Sequence, residues 1–206
     1  MSILEDFSHL FMPGDDRAPT LIVLHGTGGD EKDLLPLARM ISPESPVLSP
    51  RGRVLENGMP RFFRRLAEGV FDLEDLELRT RELGEFILAA AEEYGFDASK
   101  LVALGYSNGA NIAASLMLTR GDLLGGGILL RAMVPFEPAS LPKLAGKSVL
   151  LSAGESDPII PPASTSRLAD LLRTAGADVT LKWLPTGHGL TASDVREATA
   201  WLAEHR

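Results

Sequence analysis

The sequence contains no cysteine, which excludes disulfide bonds, cysteine-ligated zinc and a cysteine nucleophile. Its four histidines, at positions 9, 25, 188 and 205, are too scattered to indicate a histidine-based metal site. Basic residues are scarce, because 20 lysines and arginines stand against 28 aspartates and glutamates, a formal net charge of -8. A nucleic-acid-binding protein normally carries a basic face that neutralises phosphates, so this class of function is disfavoured.

Long apolar runs are absent as well. No stretch approaches the roughly 18 continuous apolar residues of a membrane span. Residues 1–6 carry early acidic side chains and lack the basic start and apolar run of a signal peptide. We therefore expect a soluble, cytoplasmic protein. With 45% hydrophobic and 23% charged residues over 206 positions, the composition is typical of a globular domain with one sizeable core.

Short apolar runs alternate with amphipathic segments along the chain. The runs predict strands at 21–24, 46–49, 101–104, 127–130, 148–151 and 179–184. The spacing of apolar residues predicts helices at about 31–41, 72–94, 110–118, 168–174 and from about 193 to the end. Prolines and glycines interrupt residues 50–70, which we expect to be irregular.

Strands separated by helices imply a largely parallel sheet that helices cover on both faces. Right-handed crossovers then give a doubly wound α/β architecture, with active groups in loops beyond the carboxyl ends of the strands. No repeat or long linker divides the chain, so we predict one domain over residues 1–206.

The segment Gly105-Tyr106-Ser107-Asn108-Gly109 stands between a predicted strand and a predicted helix. This is G-x-S-x-G in the strand–turn–helix context of a nucleophile elbow. The glycines let strand and helix pass closely while the serine occupies a sharp, strained turn. The helix N-terminus directs positive dipole density towards the hydroxyl. The alternative, a glycine-rich turn with an incidental serine, is disfavoured by this context, and we predict Ser107 as a nucleophile.

A serine hydroxyl is a poor nucleophile without a base. His188 follows the last predicted strand between two glycines, so it would lie at the same sheet edge as Ser107; His205 is the alternative. The third member should be a carboxylate that orients the imidazole. Asp157 gives the chain order Ser, Asp, His that the α/β-hydrolase fold imposes, and Glu155 is the alternative acid.

The segment His25-Gly26-Thr27-Gly28-Gly29 follows the first strong strand and can offer backbone N–H groups to a developing oxyanion. We predict the N–H groups of Thr27 and Asn108 as the two donors. A phosphate-binding loop is the alternative, but the segment lacks both the Gly-Lys-Ser/Thr ending and the G-x-G-x-x-G spacing. We expect His25 to brace the loop without taking part in catalysis.

The segment Arg61-Phe62-Phe63-Arg64-Arg65 allows two interpretations. One is a solvated basic face with two packed rings. The other is that aromatic and apolar side chains from this stretch form the wall of an acyl or aryl pocket, since such pockets are mostly apolar. The candidates for this wall are Met59, Phe62, Phe63 and Phe71.

These motifs together resemble the small carboxylesterase/phospholipase family of α/β-hydrolases, which is related to acyl-protein thioesterases. The resemblance rests on four segments, in order along nearly the whole chain: Leu24 to Gly29, Gly105 to Gly109, Asp157-Pro158 and Gly187-His188-Gly189. Two more segments, Ser49-Pro50-Arg51-Gly52 and Asn57 to Phe63, resemble a bacterial carboxylesterase branch, some members of which are associated with quinone or hydroquinone response.

The resemblance implies a compact sheet without a large lid, the Ser107–His188–Asp157 triad, no cofactor, and homodimers among relatives. The chain differs from acyl-protein thioesterases at Thr27, where they usually have a bulky apolar residue, and at Asn108, where they usually have Gln. Both positions act through backbone N–H groups, so catalysis should survive, but depalmitoylation of proteins is disfavoured.

The expected activity is hydrolysis of short- to medium-chain carboxylic esters through an acyl-enzyme. A thioesterase or lactone hydrolase would use the same triad. A non-catalytic ligand-binding protein on a hydrolase scaffold is the alternative from a different class of function.

Overall fold

The computed structural model describes residues 3–205 of the chain. Its strands are His9–Met12 (β1), Leu21–Leu24 (β2), Val47–Pro50 (β3), Val54–Glu56 (β4), Met59–Arg61 (β5), Arg65–Ala67 (β6), Val70–Phe71 (β7), Val102–Tyr106 (β8), Gly126–Leu130 (β9), Ser148–Gly154 (β10) and Asp178–Leu184 (β11). Its α-helices are Leu35–Ile41 (α1), Leu73–Tyr94 (α2), Asn108–Thr119 (α3), Pro162–Thr174 (α4) and Ala192–Glu204 (α5).

Seven strands form one central sheet in the order β1-β3-β2-β8-β9-β10-β11. β1 runs antiparallel to β3, and the other neighbouring pairs are parallel. The chain leaves β2 for β3 on one side and later returns to β8 on the other, so the sheet reverses its winding at the β2–β8 pair. Loops after the carboxyl ends of such a pair are the usual place for a site in an open α/β sheet. The predicted doubly wound, mostly parallel architecture is confirmed.

The alternating side chains of β2 show how the sheet separates two apolar layers. Ile22 and Leu24 pack in a layer with buried side chains from α2, α3 and α4. Leu21 and Val23 pack on the opposite face, with buried side chains from α1 and α5. Both faces of the parallel sheet are thereby covered, which explains why its strands are continuous apolar runs in the sequence.

The long helix α2 begins and ends at the residues that its capping chemistry requires. The carboxylate of Asp72 accepts a hydrogen bond from the N–H of Asp75, which satisfies one free donor of the first turn. Gly95 ends the helix in the left-handed conformation, with φ of 73°. The prediction for 72–94 agrees with these bounds. Helix α1 begins later than predicted, at Leu35, because Pro36 belongs in a first turn and residues 31–34 form turns instead.

The prediction that residues 50–70 are irregular is wrong for most of that stretch. It contains two antiparallel hairpins, β4–β5 and β6–β7. Asn57 and Gly58 form the first turn with φ values of 52° and 81°. Asn-Gly is the dipeptide that favours such a turn, so the signal was present in the sequence. Strand β1 is not among the predicted strands either; it is an edge strand with only partly buried side chains.

The helices of residues 3–205 include none that is long and apolar enough to cross a membrane. In the same part of the chain, no large lid domain is inserted over the sheet. The described histidines, aspartates and glutamates form no group of three or more that could hold a metal ion.

Candidate active site

Ser107 occupies a strained turn between β8 and α3. It has φ of 51° and ψ of -112°, a conformation that is sparsely populated for residues other than glycine. A Cβ at Gly109 would overlap the backbone carbonyl of Leu24, and one at Gly105 would lie 2.7 Å from the Cα of Ala110. The two glycines therefore allow the close crossing of strand and helix that holds the serine in this conformation.

The structure brings Ser107, His188 and Asp157 into one hydrogen-bonded cluster. The Nε2 atom of His188 lies 3.0 Å from Ser107 Oγ, and Nδ1 lies 2.8 Å from Asp157 Oδ2. Because a carboxylate only accepts, Nδ1 carries the proton, and Nε2 is free to accept from the serine hydroxyl. Asp157 is buried, and its Oδ1 accepts from the N–H groups of Ile159, at 2.8 Å, and Ile160, at 3.1 Å.

The alternative acid and base lie outside this cluster. Glu155 is exposed to solvent, whereas the Asp157 side chain turns inward. His205 lies beyond the end of α5, where its ring bonds the carbonyl oxygen of Trp201 at 2.7 Å. Neither side chain contacts Ser107 or His188.

A buried arginine holds the backbone on both sides of His188. Arg131 follows β9 and donates hydrogen bonds to the carbonyl oxygens of Gly187, at 3.1 Å, and Gly189, at 2.9 Å. Its guanidinium also pairs with the carboxylate of Asp194 on α5, at 2.8 and 2.9 Å. Arg131 is not among the predicted site residues, although a charged residue directly after a fully apolar strand is a signal for it.

Asp194 links the same cluster to the start of α5. Burial raises the pKa of this carboxyl group, but hydrogen bonds from Arg131, Ser152 and Thr191 outweigh it and hold the pKa below its usual value. Asp194 and Thr191 also form the capping box of the helix. The carboxylate is therefore ionised, and it both pairs with Arg131 and caps the N-terminus of α5.

Two further contacts hold the loop that carries His188. The hydroxyl of Tyr106 donates to the carbonyl oxygen of His188 at 3.1 Å. A Cβ at Gly154 would overlap the carbonyl oxygen of Gly187, so the end of β10 and this loop approach as closely as two backbones can. The loop is thus fixed from three directions.

The predicted oxyanion donors, Thr27 and Asn108, line the same cavity as Ser107. The backbone N–H groups of Thr27 and Asn108 have no hydrogen-bond acceptor within the described part of the chain. Asn108 is the first residue of α3, where an N–H lacks a partner inside the helix. Gly28 donates its N–H to Pro60 at 2.9 Å, which holds the loop against β5.

His25 braces the same loop with both ring nitrogens. Its Nδ1–H donates to the carbonyl oxygen of Gly26 at 2.6 Å, and its Nε2 accepts from the N–H of Gly52 at 2.9 Å. Burial lowers the pKa of His25, which keeps the ring neutral and suited to accept that bond. The ring therefore joins two loops and has no free nitrogen for a substrate.

A cavity of about 220 Å³ opens beside Ser107 and His188. Its apolar wall is formed by Phe71, Met133, Ile159 and Ile160. A larger cavity of about 600 Å³ lies between α2, α3 and the segment after β9, but none of Ser107, Asp157 and His188 lines it. The smaller cavity is the one that reaches the reactive groups.

Of the four predicted pocket residues, Phe71 lines this cavity, and the structure corrects the prediction for the other three. Phe62 is in the core and packs on the ring of His25, with centroids 4.7 Å apart. Phe63 is fully buried and meets Phe71 edge-on at 4.9 Å. Met59 is exposed, beside Gly28.

The basic residues of this segment differ in exposure, which corrects the interpretation as one solvated basic face. Arg64 is exposed and pairs with Asp72 at 2.7 Å. Arg61 is buried, donating to Thr27 Oγ1 at 2.6 Å and to the carbonyl oxygen of Phe63 at 3.1 Å. Arg61 also lines the cavity.

Comparison with protein families matches residues 7–206 to the model of the Phospholipase/Carboxylesterase family. MhqD of Bacillus subtilis (strain 168), which is named only as a hydrolase, is 50% identical over 184 residues, 89% of this chain and 92% of that protein. The crystal structure of the Bacillus cereus carboxylesterase superposes with a TM-score of 0.95 at 53% identity, covering 97% of this chain and 95% of that one. The carboxylesterase of Mesorhizobium loti gives a TM-score of 0.90 at 33% identity, with 96% and 94% covered.

Proposed function

This chain belongs to the phospholipase/carboxylesterase family of α/β-hydrolases, and we propose from that premise that it hydrolyses carboxylic esters through an acyl-enzyme on Ser107. The observation that carries the proposal is the continuous hydrogen-bonded path from Ser107 Oγ through His188 to Asp157, with distances of 3.0 and 2.8 Å. A nucleophile, a base and a group that orients the base are the parts that acyl transfer requires.

In the first half-reaction, Ser107 Oγ bonds to the ester carbonyl carbon while His188 Nε2 takes the hydroxyl proton. The carbonyl π electrons move onto oxygen, and this oxyanion accepts hydrogen bonds from the N–H groups of Thr27 and Asn108. Asp157 stabilises the imidazolium that forms. When the intermediate collapses, the bond to the alcohol oxygen breaks, and Nε2–H protonates that oxygen as it leaves.

In the second half-reaction, water gives a proton to His188 Nε2 while its oxygen bonds to the acyl carbon. The same two N–H groups stabilise the second oxyanion. Collapse then breaks the bond to Ser107 Oγ, which regains its proton from Nε2–H. A carboxylic acid leaves, and the enzyme returns to its starting protonation state.

The size of the cavity favours small substrates. Pockets for drug-sized ligands usually enclose about 300–1,000 Å³, whereas the cavity beside Ser107 measures about 220 Å³. We therefore place the preferred acyl chain at the short end of the short-to-medium range.

The test is hydrolysis of p-nitrophenyl esters from C2 to C12 by the wild type and Ser107→Ala. We expect a short-chain optimum and a loss of kcat on the order of 10⁶ in the variant. Ser99→Ala, at an exposed serine far from the cavity, is the matched control and should retain activity. Absence of Ser107-dependent turnover on every ester would exclude simple esterase activity, and the same comparison on thioesters and lactones would follow.

One domain over residues 1–206 and homodimerisation stay predictions. Limited proteolysis tests the first, since one domain should give no stable fragment. Light scattering after size-exclusion chromatography tests the second.

A further inference from the structure

The lining of the smaller cavity includes two guanidinium groups. Arg61 and Arg65 both line the cavity beside Ser107. Among the described residues, no aspartate or glutamate lines it. Two cations and no acidic side chain in the lining make the cavity suited to a negatively charged group.

A single carboxylate serves both arginines. Glu56 lies 3.2 Å from Arg61 Nε and 2.9 Å from Arg65 Nε. One negative charge against two positive charges leaves an excess of one beside the cavity. Burial lowers the pKa of Arg61, and the charge of Arg65 lowers it further, as expected where positive charge is incompletely neutralised. Asp157 is not part of the lining, and its carboxylate bonds His188 Nδ1 instead.

Part of the hydrogen-bonding capacity of the Arg65 side chain is unused among the described residues. Its two side-chain hydrogen bonds both use Nε, which contacts the Glu56 carboxylate at 2.9 and 3.1 Å. The two terminal nitrogens, Nη1 and Nη2, have no acceptor in the part of the chain that the structure describes. Paired N–H groups on a planar guanidinium match the two oxygens of a carboxylate. The side chain is 28% exposed, so a small molecule can reach it.

Arg61 differs in that protein acceptors fix its position. Its guanidinium bonds Thr27 Oγ1 and the carbonyl oxygen of Phe63, which leaves it no freedom to follow a ligand. Arg61 contributes a fixed positive charge next to the loop that carries Thr27, whereas Arg65 supplies N–H donors that can adjust to a ligand.

We propose that the preferred substrate is a small ester that carries its own carboxylate, which Arg65 binds and the charge of Arg61 attracts. This inference rests on the proposed esterase function and specifies its substrate class. The carbon skeleton of such a substrate lies against Phe71, Met133 and Ile160, with its scissile carbonyl at Ser107. Half-esters of short dicarboxylic acids and acyloxy-substituted carboxylic acids fall in this class.

Two matched substrate pairs test the proposal on either side of the scissile bond. On the alcohol side, 4-acetoxybenzoate is compared with methyl 4-acetoxybenzoate, whose carboxylate is masked as a methyl ester, and release of the phenol is followed for both. On the acyl side, monoethyl succinate is compared with diethyl succinate. We expect kcat/KM to favour the anionic member of at least one pair by about tenfold, the order of a charge-assisted hydrogen bond. Added salt should reduce the preference.

Variants of Arg65 identify the residue responsible. Arg65→Ala should lower kcat/KM for the preferred anionic ester about tenfold more than it lowers kcat/KM for the neutral partner. Arg65→Lys should restore part of the preference, because it keeps the charge but not the paired donors. Arg64→Ala is the control: its side chain is 60% exposed, pairs with Asp72 and lies outside the cavity.

The outcomes separate this inference from the proposed function. Ser107-dependent hydrolysis with no preference for either anionic ester overturns the substrate class alone, as does a preference that survives Arg65→Ala. Absence of Ser107-dependent turnover on these four esters overturns the substrate class, and only its absence on the p-nitrophenyl esters as well overturns the proposed function. Calorimetric titration of 4-acetoxybenzoate into Ser107→Ala adds a readout without turnover, and binding that Arg65→Ala weakens supports the inference.

Discussion

Arg131 and Asp194 form a doubly hydrogen-bonded ion pair in which both side chains are 0% exposed, and the same arginine bonds the carbonyl oxygens on both sides of His188. The residues are 63 positions apart in the sequence. The pair connects the end of β9, the loop of the proposed base and the first turn of α5. Removing one partner leaves the other charge buried without compensation, which is far more costly than losing an exposed pair.

Arg131→Met should therefore destabilise the protein by about 3–5 kcal/mol and lower kcat in the molecules that remain folded. Urea denaturation measures the first effect, and turnover per titrated Ser107 measures the second. Arg167→Met is the matched control, because Arg167 pairs with Glu137 at 2.7 Å with both side chains exposed. Its cost should stay below about 1 kcal/mol. Equal costs for the two variants would contradict the role given to the buried pair.

Gly109→Ala should abolish activity and destabilise the fold, because the new Cβ overlaps the Leu24 carbonyl and forces α3 away from β2. Gly84→Ala is a buried glycine control on α2, where a Cβ meets the side chains of Leu123, Leu116 and Arg120 at ordinary distances of 3.4, 3.5 and 3.8 Å. It should stabilise by up to about 1 kcal/mol through helix propensity. Thermal unfolding and ester turnover are measured for both variants. A fully active Gly109→Ala would show that α3 can move away from β2 without loss of the Ser107 geometry.

The neutral His25 should give stability a measurable pH dependence. Burial lowers its pKa in the folded state below the unperturbed 6.5. As pH falls through 6.5, the unfolded chain takes up a proton that the folded chain does not, so stability present above this pH is lost below it. The slope approaches about 1.4 kcal/mol per pH unit between 6.5 and the folded pKa.

His25→Gln should flatten this dependence, whatever its effect on stability at neutral pH. Urea denaturation at pH 7.5 and 5.5 gives the change in the free energy of unfolding between these pH values for the wild type and for the variant. A variant that keeps the wild-type difference would assign the pH dependence to other groups.

Asp157→Asn should lower kcat by about 10⁴, because the amide can donate to His188 Nδ1 and then favours the wrong tautomer. Glu155→Gln, two residues earlier on the same loop and exposed, should change kcat by less than about twofold. Steady-state kinetics on one p-nitrophenyl ester suffices. The reverse result would exchange the roles of the two acids.

Thr27→Val separates the backbone of Thr27 from its side chain. If the oxyanion binds only the N–H, kcat should change by less than about threefold. The buried Arg61 loses an acceptor, which should cost about 1–3 kcal/mol of stability. Kinetics and denaturation are measured on the same preparation. A loss of kcat of a hundredfold or more would assign the hydroxyl a part in the reaction.

The helices and strands that were predicted correctly are those whose residues carry a strong local pattern. Helix α2 has apolar periodicity between an acidic N-cap and a C-cap glycine, and its bounds follow from them. The strands of the sheet interior are apolar runs because helices cover both faces. β1 lacks this signal, because its four residues at the sheet edge are all half-buried. The hairpins near Asn57 had a turn signal, but their strands are too short to show alternation.

The same contrast holds for the site. The turn at Ser107 could be predicted from the sequence, because residues within two positions of the serine produce its geometry. Arg131 and Asp194 become partners only through the packing of α5 against the sheet, which no spacing in the sequence reveals. Likewise, the charge excess at Arg65 depends on which acid lies within reach of two arginines, and this is a property of the folded hairpins.

The bond from Arg131 to Asp194 also has a consequence for the order of folding. The elbow is built from β2, β8 and α3, all of which precede His188 in the chain, whereas Asp194 belongs to the helix that follows it. A partly folded molecule in which α5 has not yet docked thus holds a serine without a positioned base. Such a molecule would be hydrolytically inert, so recovery of turnover during refolding reports the docking of α5.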